Sequence, residues 1–313
     1  MSLELAGGEM GAHNYSHKML QDMCIMLFIF LAFLNQLALS SSYYAYSDKI
    51  SKSTNGLEEI SYHALYESIG TPKNGYSGAM ATLDVYNFAY LKTPEVSAAM
   101  VRVSNYVDER RIGLNDIQAG WAIDPFTYGD SKTHFFVSWT TDFYNKTGCF
   151  NLECEGFVPV NDAPVTPGDV LDPANNQTKI TFKIFKDKND GDWWLYFGYD
   201  INNLKRAGFW PKNIFNRMED HATHVQWEGF TNAYKGHSSP PMGNGRWPGK
   251  MSATIQNVLY VGTDGQSYDP PVWPIGLEVY VTNTRCYQVS IVENNMFYYG
   301  GPGGCKHDWL NKY

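Results

Sequence analysis

Several chemistries are missing from this 313-residue sequence. Charged residues make up only 18% of it and the formal net charge is −8, so it has no basic footprint of the kind that neutralises a nucleic-acid backbone. The eight histidines, His221, His224 and His237 among them, never fall in an HExxH spacing, and no serine sits in a GxSxG elbow. Cysteine is scarce, five in all. No two of them have CxxC spacing and no histidine cluster accompanies them, which disfavours zinc. Strand–helix alternation is absent, which argues against a doubly wound fold, and no internal repeat is found. Met242, Gly243 and Gly245 mark a tight turn rather than a phosphate cradle, because no helix pattern follows to supply an anion site. Nothing in the sequence calls for a metal or another cofactor.

What is present points to β structure. Aromatic residues make up 15% (9 Trp, 22 Tyr, 17 Phe) beside 28 Gly and 15 Pro, a composition of many short strands joined by tight turns. Period-2 alternation is found in Ala81 to Phe88, Thr133 to Thr141, Thr178 to Lys186, Trp193 to Ile201, His224 to Asn232 and Leu277 to Asn283. The clearest is TKITFKIFK, where Ile180, Phe182 and Ile184 fall on one face and Thr181, Lys183 and Phe185 on the other. Asp187 to Gly191 then separates two strands as a hairpin loop would. One short helix is expected within Trp210 to Val225. Antiparallel strands at this spacing predict an all-β fold of two packed sheets, a β-sandwich or jelly roll.

From Met23 to Leu39 runs an almost unbroken apolar segment, preceded by Lys18 and followed by Ser40, Ser41 and Ser42. That is the layout of a signal peptide. Its core, Met23 to Leu34, is shorter than the roughly 20 residues of a bilayer span; an uncleaved signal anchor is the alternative. Residues 1–42 are therefore expected to be an export signal, with Met19 or Met23 as candidate starts. Residues 43–61 read as a polar linker, and 62–313 as the folded domain. Cys24 would leave with the signal, and Cys149, Cys154, Cys286 and Cys305 remain as an even set, as disulfide bonding in an exported domain requires. Asn145-Lys-Thr and Asn176-Gln-Thr are then candidate glycosylation sites. Asn14-Tyr-Ser precedes the signal and would not be modified.

Several unusual strings follow one another in a fixed order: IQAGWAIDPFTYGD (Ile117 to Asp130), WTTDFYNKTGCFNLECEGFV (Trp139 to Val158), DWWLYFG (Asp192 to Gly198), GFWP (Gly208 to Pro211), PPMGNG (Pro240 to Gly245) and FYYGGPGGC (Phe297 to Cys305). With its cysteines, this set resembles the neprosin-type prolyl endopeptidase family of secreted plant proteins, from about Tyr62 to the C-terminus. The resemblance implies an antiparallel β-sandwich, a glutamic peptidase site cleaving after proline, and the pairings Cys149–Cys154 and Cys286–Cys305. Characterised members carry an activation domain between signal and catalytic domain; here a stub of about Tyr43 to Ser61 takes its place.

Hydrolysis by two carboxyl groups requires them to hold different protonation states, one acting as base toward water while the other stays protonated. The resemblance places the first glutamate immediately before an AGW triplet, where this sequence has Gln118. It places the second three residues after a strand Trp, where Trp227-Glu-Gly-Phe puts Phe230. An amide takes no proton at accessible pH, and phenylalanine has no polar atom. Glu228 lies two residues before Phe230 on the same strand face, so Gln118 and Glu228 are the candidate catalytic pair. Gln plus Glu resembles the dyad of eqolisin-type glutamic peptidases. Yet two strand residues span about 6.6 Å, far more than the roughly 0.5 Å tolerance of a catalytic group. The opposing expectation is a solvated strand-end Glu228 and a Gln118 that merely lines a groove. Asp124 and Asp130 are expected to be turn formers. Trp121, Trp139, Trp193, Trp194 and Trp227 are expected mostly in the core, a minority offering indole faces to substrate prolines.

Three functions follow from the sequence. One is a secreted endopeptidase acting on proline-containing peptides, with its catalytic glutamates substituted. Another is a non-catalytic relative that keeps the groove for binding peptide or cell-wall protein, and the third a lectin-like carbohydrate binder. The expected partner is a proline-containing peptide or protein. Neither nucleic acid nor, unless the signal stays uncleaved, a membrane is expected. The sequence does not fix an oligomeric state.

Overall fold

The computed structural model describes residues 59–107, 111, 113–175 and 177–306. The expected export signal, most of the linker and the Asn176 sequon lie outside these residues. Among them, no helix is long and apolar enough to cross a membrane.

Two antiparallel sheets pack face to face. The first holds β1 (Glu59–Ser68), β3 (Val96–Asn105), β4 (Asn115–Ile123), β5 (His134–Thr140), β6 (Cys149–Phe150), β11 (His224–Tyr234) and β14 (Leu277–Val281), in the order β14-β1-β11-β3-β4-β5-β6. The second holds β2 (Gly78–Asp84), β7 (Val158–Pro159), β8 (Lys179–Lys186), β9 (Trp193–Gly198), β10 (Lys205–Trp210), β12 (Ala253–Val261), β13 (Tyr268–Asp269), β15 (Gln288–Val289) and β16 (Phe297–Gly300). Its order is β15-β16-β12-β2-β8-β9-β10-β7, with β13 beside β12.

Alternation decides what lies between the sheets. On β8, Ile180, Phe182 and Ile184 enter the core, while Phe185 joins a smaller cluster with Met80 and Val261 on the outer face. From the first sheet, Val101, Val103, Ile117, Ala119, Trp121, Phe135, Val137 and Trp227 meet them. Two buried indoles also tie one sheet to the other: Trp121 Nε1 donates to the Asp84 carbonyl at 2.8 Å and Trp227 Nε1 to the Met80 carbonyl at 2.9 Å. A buried indole N–H needs such a partner.

Four of the differences between the expected and the observed elements have a physical cause in the structure. Trp210 to Val225 holds no α-helix, only a 3-10 turn at Lys212–Ile214. Asn115 explains this: its side-chain oxygen accepts the N–H groups of Asn216 and Arg217, both at 3.0 Å, so this backbone is satisfied without a helix. Strand β1 starts at Glu59, inside the stretch read as linker, because Ile60 is already buried. The Ala81 to Phe88 segment is displaced: β2 spans Gly78–Asp84, and Gly78 is required because a Cβ there would lie 2.3 Å from the Ile184 carbonyl oxygen. Strand β9 stops at Gly198 because Asp200 caps a 3-10 turn at Ile201–Asn203. The disulfides join Cys149 to Cys154 and Cys286 to Cys305, each closing a local loop.

Candidate functional site

The outer face of the seven-stranded sheet carries a groove of about 440 Å³. Its apolar lining comes from Val96, Ala98 and Met100 on β3, Ala122 on β4, Phe136 on β5, Phe150 on β6 and Phe230 on β11. Four polar groups gather toward one end, Arg102, Gln118, Ser138 and Tyr144, while Asp124 and Asn232 line the opposite end. The pairing register arranges them in rows. Ser138, Gln118, Arg102 and Gln226 stand side by side; the next row on this face is Phe136, Gly120, Met100 and Glu228; then come His134, Ala122, Ala98 and Phe230. Glu228 is thus one row and Phe230 two rows beyond Gln118, with β3 between them and β4. Gly120 lets β3 and β4 close up at the centre, since a Cβ there would lie 2.0 Å from the Ala99 carbonyl oxygen.

The two candidate catalytic side chains do not meet. Glu228 is not the solvated strand-end carboxylate of the opposing expectation: it is fully buried. It accepts a hydrogen bond from His63 Nδ1, and its other oxygen lies 3.9 Å from Arg102 Nη1. Burial alone would raise its pKa, but the charges of His63 and then Arg102 more than offset that and hold the carboxyl below its ordinary range. Gln118 does line the groove, and its Nε2 donates to Asp116 Oδ2 at 2.6 Å and to the Tyr144 hydroxyl at 3.3 Å. With both amide protons so used, only its carbonyl oxygen is left to offer a ligand. Phe230 packs with Ala98, Met100, Ala122, Phe136 and Phe150.

A buried charge network runs behind the polar end. Arg102 Nε lies 3.3 Å from Asp116 Oδ2, and Arg102 Nη1 donates to Gln226 Oε1 at 3.3 Å. Asp116 is fully buried, and there burial wins over Arg102 and Gln118: its carboxyl is raised above the ordinary value. Sequence reasoning missed His63, Arg102, Asp116, Ser138 and Tyr144. Asp116 had a signal, being two residues before Gln118 on one strand face. His63 had none, because 165 residues separate it from Glu228.

The remaining candidates fall elsewhere. Asp124 reaches the groove edge, but its carboxylate caps a one-turn helix, accepting from the Phe126 and Thr127 N–H groups and the Thr127 hydroxyl. Asp130 bonds His134 and the Lys132 N–H. Trp121, Trp193 and Trp227 are buried in the core. No indole lies among the described lining residues, so the rings that face the groove are Phe136, Phe150, Phe230 and Tyr144, not tryptophans. Met242 is buried, and Gly243 and Gly245 have φ of 65° and 78°, as a turn requires. Asn145 is exposed on a turn whose N–H groups the Asp142 carboxylate gathers. Among the described residues, no three His, Cys, Asp or Glu side chains are placed to hold a metal.

A family model described as Neprosin matches residues 93–302. Among solved structures, the chain is similar to a scytalido-glutamic peptidase bound to a peptide-based transition-state analogue, with 11% identity over 78% of this chain and 98% of that one and a TM-score of 0.42. It is also similar to SCP-B, a member of the eqolisin family of peptidases in complex with the tripeptide Ala-Ile-His. There the identity is 12%, over 78% and 98% of the two chains, and the TM-score 0.41.

Proposed function

This chain belongs to the Neprosin family, and we propose that it is an exported, non-catalytic member whose groove holds proline-containing peptide segments without cleaving them. One observation carries the reading. Among the described residues, the groove has no pair of carboxyls to share a proton: Glu228 is buried against His63, Phe230 is apolar, and Asp124 is engaged as a helix cap. Carboxyl-pair hydrolysis needs one acid and one base in contact with the same water and carbonyl. An apolar floor edged with phenylalanine rings and closed by hydrogen-bonding groups suits an extended peptide with compact apolar side chains, proline among them. Export rests on the apolar segment Met23 to Leu39, and the two disulfides are compatible with it.

A second reading, endopeptidase activity from Gln118 and Glu228, has one observation in its favour. Glu228 keeps its charge into acid because His63 and Arg102 lower its pKa, so a base persists near the groove.

Calorimetric titration of the full chain with a capped, proline-containing octapeptide tests the proposal. Saturable binding that weakens on Phe230→Ala is expected. No binding at any pH, or turnover of the peptide, would overturn it.

A further inference from the structure

Tyr144 is held in an unusual way. It follows Phe143, and both have left-handed backbone angles, with φ of 63° at Phe143 and 56° at Tyr144. Two consecutive bulky residues in that region are unfavourable, and such outliers persist only where the surroundings impose them. Here the surroundings do impose them. The Asp142 carboxylate accepts the N–H groups of Asn145, Lys146 and Thr147 and the Thr147 hydroxyl, and Thr140 Oγ1 accepts the Tyr144 N–H at 2.8 Å. Gly148, with φ 131°, clears space for the ring: a Cβ there would lie 2.6 Å from Tyr144 Cδ1.

The strained turn delivers the Tyr144 hydroxyl to the polar end of the groove. It lies 3.3 Å from Gln118 Nε2 and 3.2 Å from Ser138 Oγ. Both contacts are long beside the usual N–H···O distance of about 2.9–3.0 Å and O–H···O distance of about 2.7–2.8 Å. The residue is 46% exposed, so the core does not anchor its ring. A hydroxyl oxygen accepting from an amide N–H does what a peptide carbonyl oxygen would do in the same place. The other Gln118 proton is secured by Asp116 at 2.6 Å.

We propose that Tyr144 is the groove's own occupant, a gating residue that holds the donor of Gln118 closed until a ligand carbonyl displaces its hydroxyl. This rests on the peptide-binding reading above and names the group that decides which ligands enter. Displacement exchanges one acceptor for another, so the gate opens at small cost, and only a ligand with a carbonyl in register gains the Gln118 hydrogen bond. A peptide presenting an apolar side chain there, without a carbonyl in reach, leaves the gate shut.

The test compares the wild-type chain, Tyr144→Phe and Tyr144→Phe with Gln118→Met, each titrated with the capped proline-containing octapeptide. Side-chain amide exchange at Gln118 is followed by NMR in the first two. Tyr144→Phe keeps the ring and removes the acceptor. It should bind roughly two- to twelvefold tighter than wild type, the worth of one neutral hydrogen bond, and its Gln118 amide protons should exchange faster. The gain should vanish when Gln118 is Met. Equal or weaker binding by Tyr144→Phe overturns the gate. If no chain binds the peptide, the peptide-binding reading falls and the amide exchange decides on the gate by itself: faster exchange in Tyr144→Phe upholds it, and unchanged exchange overturns it.

Discussion

His63 on β1 and Glu228 on β11 are joined on the outer face of the seven-stranded sheet, the imidazole Nδ1 donating to a carboxylate that no solvent reaches. The register sets His63 opposite Phe230 and Glu228 opposite Leu65, so the bond runs diagonally across the β1–β11 pair. The His63 ring then meets the Phe230 ring edge-on at 5.3 Å. Glu228 thereby turns toward β1 and Arg102, and Phe230 is the β11 side chain of this pair that faces the groove.

Breaking that pair is expected to cost stability with a defined pH dependence. Glu228→Gln takes the carboxylate from buried His63 and leaves Arg102 with that of Asp116, and should destabilise the fold by about 3 kcal/mol at pH 7. The Glu228 carboxyl is lowered in the folded state. Its contribution is therefore full above the ordinary glutamate value of about 4.3 and is lost as pH falls through the lowered folded value. Urea denaturation from pH 7 down to pH 3 should show the gap between wild type and variant narrowing below about pH 4.3.

Gly120→Ala should damage the sheet that carries the groove. Its Cβ would lie 2.0 Å from the Ala99 carbonyl oxygen and 2.7 Å from Met100 Cα, both backbone atoms of β3. No side chain can yield there, so the β3–β4 pairing must open. A loss of about 3 kcal/mol or more is expected, read as a fall in Tm.

Much of the fold was legible because alternation is a local signal. The TKITFKIFK pattern assigns Ile180, Phe182 and Ile184 to the core and Phe185 to the opposite face, where the structure has them. The short helix expected in Trp210 to Val225 is limited to the 3-10 helix at Lys212–Ile214 for a non-local reason: Asn115, about 100 residues earlier, takes the N–H groups of Asn216 and Arg217 just beyond it. The site was legible only in part. Gln118 and Phe230 both line the groove. What surrounds them depends on sheet order, which puts β1 and β3 on either side of β11 and so brings His63 and Arg102 to Glu228. Tyr144 was hidden differently. Its position depends on left-handed backbone at Phe143 and Tyr144, a conformation their residue types disfavour.

Installing carboxyls at Gln118 and Phe230 should show whether the groove can support peptide hydrolysis. Gln118→Glu alone places a carboxyl within hydrogen-bond reach of Asp116, whose own carboxyl burial already raises. The two should share a proton, and hydrolysis should stay negligible because, among the described residues, the other carboxyl that lines the groove, Asp124, is engaged as a helix cap. Gln118→Glu with Phe230→Glu should raise cleavage of proline-containing peptides above either single change by more than their sum, since a dyad acts as a unit. Rates measured for the four combinations at acid pH check this.

The central claim is that the groove binds without cutting, and one measurement tests it most directly. The wild-type chain is incubated with proline-containing peptides between about pH 2.5 and 6, the range in which a carboxyl pair can share a proton. The products are then followed by mass spectrometry. Intact peptide throughout is the predicted result. Efficient cleavage after proline, abolished by Glu228→Gln in protein that circular dichroism shows to be folded, would make Gln118 and Glu228 a working dyad and contradict the account.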